Sequence, residues 1–366
     1  MGDKTYENKS FVMTAVKEVA IEDRPKPTLK DPHDVIVHVA QTGICGSDVH
    51  YWRRGRIGRY IVTGPMVLGH ESSGVVAEVG SKVTHLKPGD NVAMEPGVPC
   101  RHCDFCRGGL YHLCPDMVFA AQPPYNGTLS RYYLNASDFC YKLPDNMDLE
   151  QGAMVEPVSV ACAVARTADL RAHQTVVVMG CGPIGILCQA VAKAWGAGKV
   201  IGVDVVQARL DLAKACFGVD GVFMPSRPGE GVDPMEHAQA MAEEIKTTFG
   251  LGHGADVVLE ASGAEPCVQM GVYVTKPGGT LVQAGMGKES VNFPITHVCT
   301  QGLTVKGSIR YLTGCYPAAI DLISSGKVDV KKLITNRFPF DQAEEAFELV
   351  RQGRPDVFKV MIAGVE

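Results

Sequence analysis

Nowhere in the 366 residues is there a run of about 18 apolar residues, so no segment has the length and hydropathy of a membrane-spanning helix. Positive charge is not in excess either. The formal net charge of -5 gives no electrostatic support for binding nucleic acid or an anionic membrane, both of which favour clustered Lys and Arg. The opening segment MGDKTYENKSFVMTAV lacks the basic and then apolar stretches of a secretory signal, and Tyr6 stands where a myristoylation motif needs Ser or Thr. A cytoplasmic chain is therefore expected, with the sequons at Asn8, Asn126 and Asn135 unused. Internal repeats and low-complexity tracts are absent as well. What remains is a chain with 46% hydrophobic and 20% charged residues, long enough for two domains with separate cores and a small-molecule partner.

The 13 cysteines are an odd number, and Cys162, Cys181, Cys188 and Cys216 lie in apolar segments, which suits a reducing compartment rather than a disulfide framework. Four others are different. Cys100-x2-Cys103-x2-Cys106-x7-Cys114, in PGVPCRHCDFCRGGLYHLCP, has the spacing of a closed tetrahedral thiolate shell around one structural zinc.

Along the chain the character changes twice. From about residue 11 to 155, short β-like runs such as Asp34 to Gln41, Gly74 to Val79 and Asn91 to Met94 alternate with Gly and Pro, implying a compact, largely β domain. From about 160 to 290, apolar strands (Thr175 to Met179, Lys199 to Val203, Ala255 to Leu259, Thr280 to Ala284) alternate with helical stretches near Ile184 to Trp195 and Ala208 to Phe217. That pattern implies βαβ units on a parallel sheet. Beyond about 295 the chain is mixed again, with Leu303 to Ile309 and Lys359 to Ile362 as strands and Tyr316 to Ser324 and Gln342 to Gln352 as helices; the simplest architecture returns this segment to the first domain. Pro225 to Pro234 reads as an exposed loop.

Directly after one of those apolar strands comes Gly180-x-Gly182-Pro183-Ile184-Gly185, opening a helix. Glycines at this spacing permit a tight turn and close backbone approach to a pyrophosphate at the helix N-terminus. The next strand ends at Asp204, where a carboxylate can accept hydrogen bonds from both ribose hydroxyls and repel a 2′-phosphate, favouring NAD over NADP. Arg209 is expected along the adenine or completing the ribose pocket.

A second donor set is dispersed. Cys45 in TGICGSDVHYW and His70-Glu71 in VLGHE lie on Gly-punctuated loops, and Glu156 in GAMVEPVSV is a further acidic candidate, with Glu95 a weaker rival. A lone Cys is usually a small core residue and a lone His usually structural. Ligands drawn from separate loops, beside a separate closed zinc loop, suit a catalytic metal that keeps one position exchangeable.

On these residues, together with GRIG, VLGHESSGVV, GDNVAMEPG and GSIRY, the chain resembles the zinc-containing medium-chain dehydrogenases over nearly its whole length. Within them it resembles the polyol branch of sorbitol and xylitol dehydrogenases. FAAQPPYNGTLSRYY and DFCYKLPDNM are most similar to the fungal xylitol dehydrogenases, which oxidise xylitol at C2 to D-xylulose. The resemblance implies an α/β protein. A GroES-like β-rich catalytic domain would comprise residues 1–158 and 295–366, a Rossmann domain with a doubly wound parallel sheet residues 159–294, with the active site in the cleft and the chain in a homotetramer.

It further implies that Cys45, His70 and Glu71 hold a catalytic zinc, with water or Glu156 completing the shell. Ser47 and His50 would belong to a hydroxyl and proton-relay network, and Tyr51, Phe119, Glu156, Arg310 and Tyr311 to the polyol pocket. Ile184, Gly285, Met286, Ser308, Ile309 and Arg310 match cofactor-contacting positions. The implied activity is NAD-dependent oxidation of a polyol to a ketose, xylitol to D-xylulose, with sorbitol (L-iditol) 2-dehydrogenase, L-arabinitol 4-dehydrogenase and, more distantly, threonine dehydrogenase as enzymatic alternatives. A non-catalytic zinc protein is the alternative from another class, disfavoured by the acidic balance and the second donor set.

Overall fold

The computed structural model describes residues 7–366. The chain divides into two compact units: one holds the residues up to Glu156 with Leu312–Ser324 and Val330–Glu366, the other Pro157–Tyr311 with Ser325–Asp329. Among the described residues no helix is long and apolar enough to cross a membrane.

The first unit is built on a seven-stranded sheet. Its central strand Asp34–Gly43 runs antiparallel to Glu71–Val79 on one side and to the C-terminal strand Lys359–Ala363 on the other, while Tyr132–Ala136 also pairs with it. Alternation explains one core: Val35, Val37 and Val39 point to one face and pack with Val76, Val92 and Met94. A second core joins the two chain ends. Phe11, Val12 and Trp52 pack with Ala343, Phe347, Val360 and Ile362, and the Phe11 and Phe347 rings stand 5.2 Å apart. Burial of this shared apolar surface, rather than any local propensity, brings the last strand back beside the first hundred residues.

The second unit carries a six-stranded parallel sheet in the order Gly221–Phe223, Lys199–Val203, Thr175–Met179, Ala255–Glu260, Thr275–Gln283, Thr304–Gly307. After Gly221–Phe223 the chain crosses back and lays Ala255–Glu260 on the other side of Thr175–Met179, so the sheet is doubly wound. Val176, Val177 and Val178 are wholly buried, as central strands covered on both faces must be. Helices Pro183–Ala194 and Gln207–Phe217 match the expected ones closely. The helix Pro234–Phe249 follows the exposed Pro- and Gly-rich loop, its start fixed by Asp233, which accepts from the backbone N–H groups of Met235 and Glu236.

Thr304–Gly307 is the sixth strand of this sheet, so the chain rejoins the first unit only after Tyr311 and not at residue 295. All four of its residues are exposed, and a strand so polar carries no sign of which sheet it joins.

Candidate metal centres and cofactor site

Cys45 caps the helix Gly46–Arg54, and Glu71 opens the strand Glu71–Val79 directly opposite Gly43 in the antiparallel register. Donor atoms of Cys45, His70 and Glu71 therefore lie within 4.8 Å of one another. The group that organises them was not singled out in the sequence. Asp48, fully buried, accepts from the Cys45 N–H at 3.3 Å through Oδ2 and from the Gly69 N–H at 3.0 Å through Oδ1, and the latter oxygen also lies 3.3 Å from His70 Nδ1. With Nδ1 taken by a carboxylate, Nε2 is the nitrogen left to carry a metal. Burial opposes charge on His70, but Asp48 and Cys45 outweigh it and hold the imidazole pKa well above its ordinary value. Ser47 Oγ is 3.4 Å from His70 Nε2, and the Phe119 ring lies 5.9 Å from the imidazole.

A second unanticipated residue completes the charge pattern. Lys359 Nζ lies 2.6 Å from Glu71 Oε2, both side chains being almost fully buried. Burial disfavours the ammonium, yet Glu71 and Cys45, with Glu156 adding to them, raise its pKa above the ordinary value. Glu156 is itself buried near the start of the helix Val155–Thr167, but does not join the compact triplet. His50 lies on the helix after Cys45 with part of its ring reaching solvent, and the partial burial of the rest, followed by Arg54, lowers its pKa. Tyr51 is buried in the core shared by the chain ends.

The four-cysteine loop is compact. Cys103 Sγ is 3.4 Å from Cys106 Sγ, Cys100 Sγ is 3.9 Å from Cys106 Sγ, and Cys114 Sγ accepts from the Cys100 N–H at 3.3 Å. Thiolates about 2.3 Å from a common tetrahedral zinc stand roughly 3.8 Å apart, so the donor set fits that ion. Every described cysteine is free of disulfide. Backbone N–H groups of His102 and Cys103 pull the Cys100 pKa down to about 6, whereas burial and Cys103 push Cys106 up to about 12. Glu95 is no part of either donor set: it is buried, accepting from Tyr111 Oη at 2.5 Å and Tyr141 Oη at 2.9 Å. Burial outweighs those two donors and raises its pKa to about 7.

In the second unit Gly180 turns with φ 95° and Gly182 caps the helix whose first residue is Pro183. A Cβ at Gly185 would fall 1.9 Å from the Gly180 carbonyl oxygen, so only glycine lets this helix approach the turn. Ile184 follows on the same first helical turn. Asp204, beyond the end of Lys199–Val203, accepts from the Cys181 N–H at 2.7 Å and the Val206 N–H at 2.9 Å. Arg209 Nη1 lies 3.8 Å from Asp204 Oδ2, so the carboxylate already engages this guanidinium.

Glu260 is the organiser that sequence reasoning missed on this side. It accepts from the Gly263 N–H at 2.9 Å and from Gln283 Nε2 at 2.6 Å, and the Gly285 N–H donates to its carbonyl at 2.8 Å. Ser308 N–H donates to the Gln283 carbonyl at 2.9 Å, setting Ile309 and Arg310 beyond the last strand; Arg310 has a φ of 55°, and Tyr311 is buried. Val205, Met286 and Ile309 are 69%, 71% and 50% exposed, all just beyond the carboxyl ends of parallel strands. Apolar side chains left bare there, beside a glycine turn and a ribose-competent carboxylate, fit a dinucleotide.

Residues 31–145 match the alcohol dehydrogenase GroES-like domain and residues 183–325 the zinc-binding dehydrogenase domain. The chain is 54% identical over 361 residues to the probable D-xylulose reductase A of Aspergillus clavatus, covering 99% of this chain and 98% of that protein. Among solved structures, L-idonate 5-dehydrogenase from Escherichia coli K-12 superposes with a TM-score of 0.85 at 29% identity, over 97% of this chain and 98% of that one. An alcohol dehydrogenase from E. coli CFT073 in complex with NADH superposes with a TM-score of 0.85 at 27% identity, over 97% and 99% of the two chains.

Proposed function

The chain belongs to the zinc-binding dehydrogenases, and from that premise we propose that it oxidises xylitol to D-xylulose with NAD as the hydride acceptor. The observation that carries the reading is near full-length similarity to a D-xylulose reductase, together with a Cys45–His70–Glu71 donor set of the kind a reactive metal needs. In this reading the first unit is the catalytic zinc unit and the second binds NAD. Each chain takes two zinc ions, one at the triplet and one at Cys100, Cys103, Cys106 and Cys114.

When bound, zinc would lower the pKa of a substrate hydroxyl and nicotinamide would accept the hydride. The chain's own residues do the rest. Asp48 fixes the tautomer and direction of His70, and Lys359 holds one oxygen of Glu71. Ser47, 3.4 Å from His70 Nε2, and the exposed His50 one helical turn further on are the groups we assign to carry the hydroxyl proton to solvent. Glu156, Phe119, Arg310 and Tyr311 are the residues we assign to the remaining hydroxyls. Gly180, Gly182, Pro183, Ile184 and Gly185 take the pyrophosphate and Asp204 the ribose, with Gly285, Met286, Ser308 and Ile309 toward the nicotinamide half.

Steady-state rates with xylitol, sorbitol, L-arabinitol and ribitol, each with NAD and NADP, test the proposal. The highest kcat/KM is expected for xylitol with NAD. A higher value for sorbitol or L-arabinitol would reassign the substrate, and equal use of NADP would remove the role given to Asp204.

A further inference from the structure

Lys359 begins the strand Lys359–Ala363, the last strand of the chain. Its ammonium lies 2.6 Å from Glu71 Oε2 and 3.3 Å from the carbonyl oxygen of Ile44, the residue before Cys45. The Ile44 N–H in turn donates to the Val360 carbonyl at 3.0 Å. One side chain thus grips both segments that deliver metal donors. Gly43 leaves the space for this: a Cβ there would fall 2.4 Å from Glu71 Oε2 and 3.4 Å from Lys359 Cδ.

The charges explain why a cation is needed there. Glu71, 1% exposed, has its carboxyl group withdrawn from water beside the Cys45 sulfur, and such a group needs a compensating partner at hydrogen-bond distance. His70 does not serve as that partner, because its ring is already engaged by Asp48 at 3.3 Å. A divalent metal would neutralise the cluster once present. Lys359 is the fixed cation that can do so beforehand.

We propose that Lys359 is a positioning residue of the metal pocket, holding Glu71 and the Cys45 turn in place before the metal arrives and sharing Glu71 with the metal afterwards. The inference rests on the triplet being a metal site. Removing the ammonium then harms the metal-free protein more than the zinc-loaded protein, since the divalent ion takes over the compensation. By linkage, zinc binds the folded variant more tightly, because two cations no longer compete for one carboxylate. A buried pair with a purely structural role would instead cost the two states equally.

The test uses the full chain at one fixed pH. Thermal midpoints of metal-free and zinc-loaded protein, and zinc affinity by competition with a chromophoric chelator, are measured for the parent, Lys359→Met and Lys359→Arg. Lys359→Met is expected to lower the metal-free midpoint more than the loaded one and to tighten zinc binding at the triplet by about tenfold. Lys359→Arg is expected to behave as the parent. Equal shifts in both states, or weaker zinc binding by Lys359→Met, would overturn the proposal.

Should Lys359→Met not fold, Glu71→Gln compared with Glu71→Gln/Lys359→Met leaves no unpaired carboxylate and asks the same question. Removing the ammonium should restore part of the zinc affinity lost in Glu71→Gln, and no restoration would overturn the proposal. A parent protein that binds zinc only at the four cysteines would remove the metal-site reading, and this inference with it.

Discussion

The four-cysteine loop and the Cys45–His70–Glu71 triplet both gather metal donors, but they are assembled from opposite materials. In the loop the donors come from one short stretch, are all thiols and are oriented by neighbouring backbone N–H groups. In the triplet they come from two segments and three residue types, and are oriented by the buried side chains of Asp48 and Lys359. A self-contained shell of four thiolates leaves no place for substrate. A mixed shell held from outside can keep a position open, and its reactivity can be set by the residues behind it.

That contrast can be broken most sharply at His70. His70→Ala is expected to reduce xylitol-dependent NAD reduction by at least about a thousandfold while leaving NAD affinity, read by fluorescence titration, unchanged. Parallel loss of NAD affinity would mean that the triplet maintains the fold rather than the chemistry. Cys103→Ser should do the reverse: a thermal midpoint lower by about 10 °C, with much of the turnover kept by protein that remains folded. Asp48→Asn keeps the shape but weakens the hold on His70 Nδ1, so metal affinity and kcat should each fall about 10- to 100-fold.

Smaller effects sharpen the comparison further out. Asp204→Ala should cut the preference for NAD over NADP by roughly tenfold in kcat/KM, without changing metal content. Glu95, lying between Tyr111 of the cysteine loop and Tyr141, gives the smallest signal and one with a definite sign. Its pKa is raised from 4.5 to about 7, so the folded state keeps a proton that the unfolded state has lost. Its contribution to stability is fully present below pH 4.5 and declines as pH rises to about 7. Glu95→Gln should flatten that part of the stability profile, as measured by denaturant midpoints; an unchanged slope would assign the titration elsewhere.

How much of this was legible in the sequence follows from the same distinction between local and distant construction. The cysteine loop, the glycine turn at Gly180 to Gly185 and the wholly apolar strands are local patterns, and their residues lie close together in the fold. Asp48 was within reach, since it stands three residues after Cys45 at a helix start, where an acidic side chain commonly returns to the backbone. Lys359 was not, because 288 residues separate it from Glu71 and only the pairing of the last strand with Asp34–Gly43 joins them. Thr304–Gly307 was legible as a strand but not as a partner of Thr275–Gln283, because an exposed edge strand carries no apolar pattern to declare its sheet. Glu260 likewise ends a buried apolar strand, and its role is visible only once Gly263, Gln283 and Gly285 gather around it.

In the proposed function one metal centre holds the fold and the other performs the chemistry. Zinc content by native mass spectrometry, measured with turnover on the same preparations of the parent, His70→Ala and Cys103→Ser, tests it most directly. Two ions are expected in the active parent, one ion in an inactive but folded His70→Ala, and one ion in a less stable Cys103→Ser whose folded fraction still turns over. Two ions retained in an inactive His70→Ala, or one ion in a fully active parent, would contradict it.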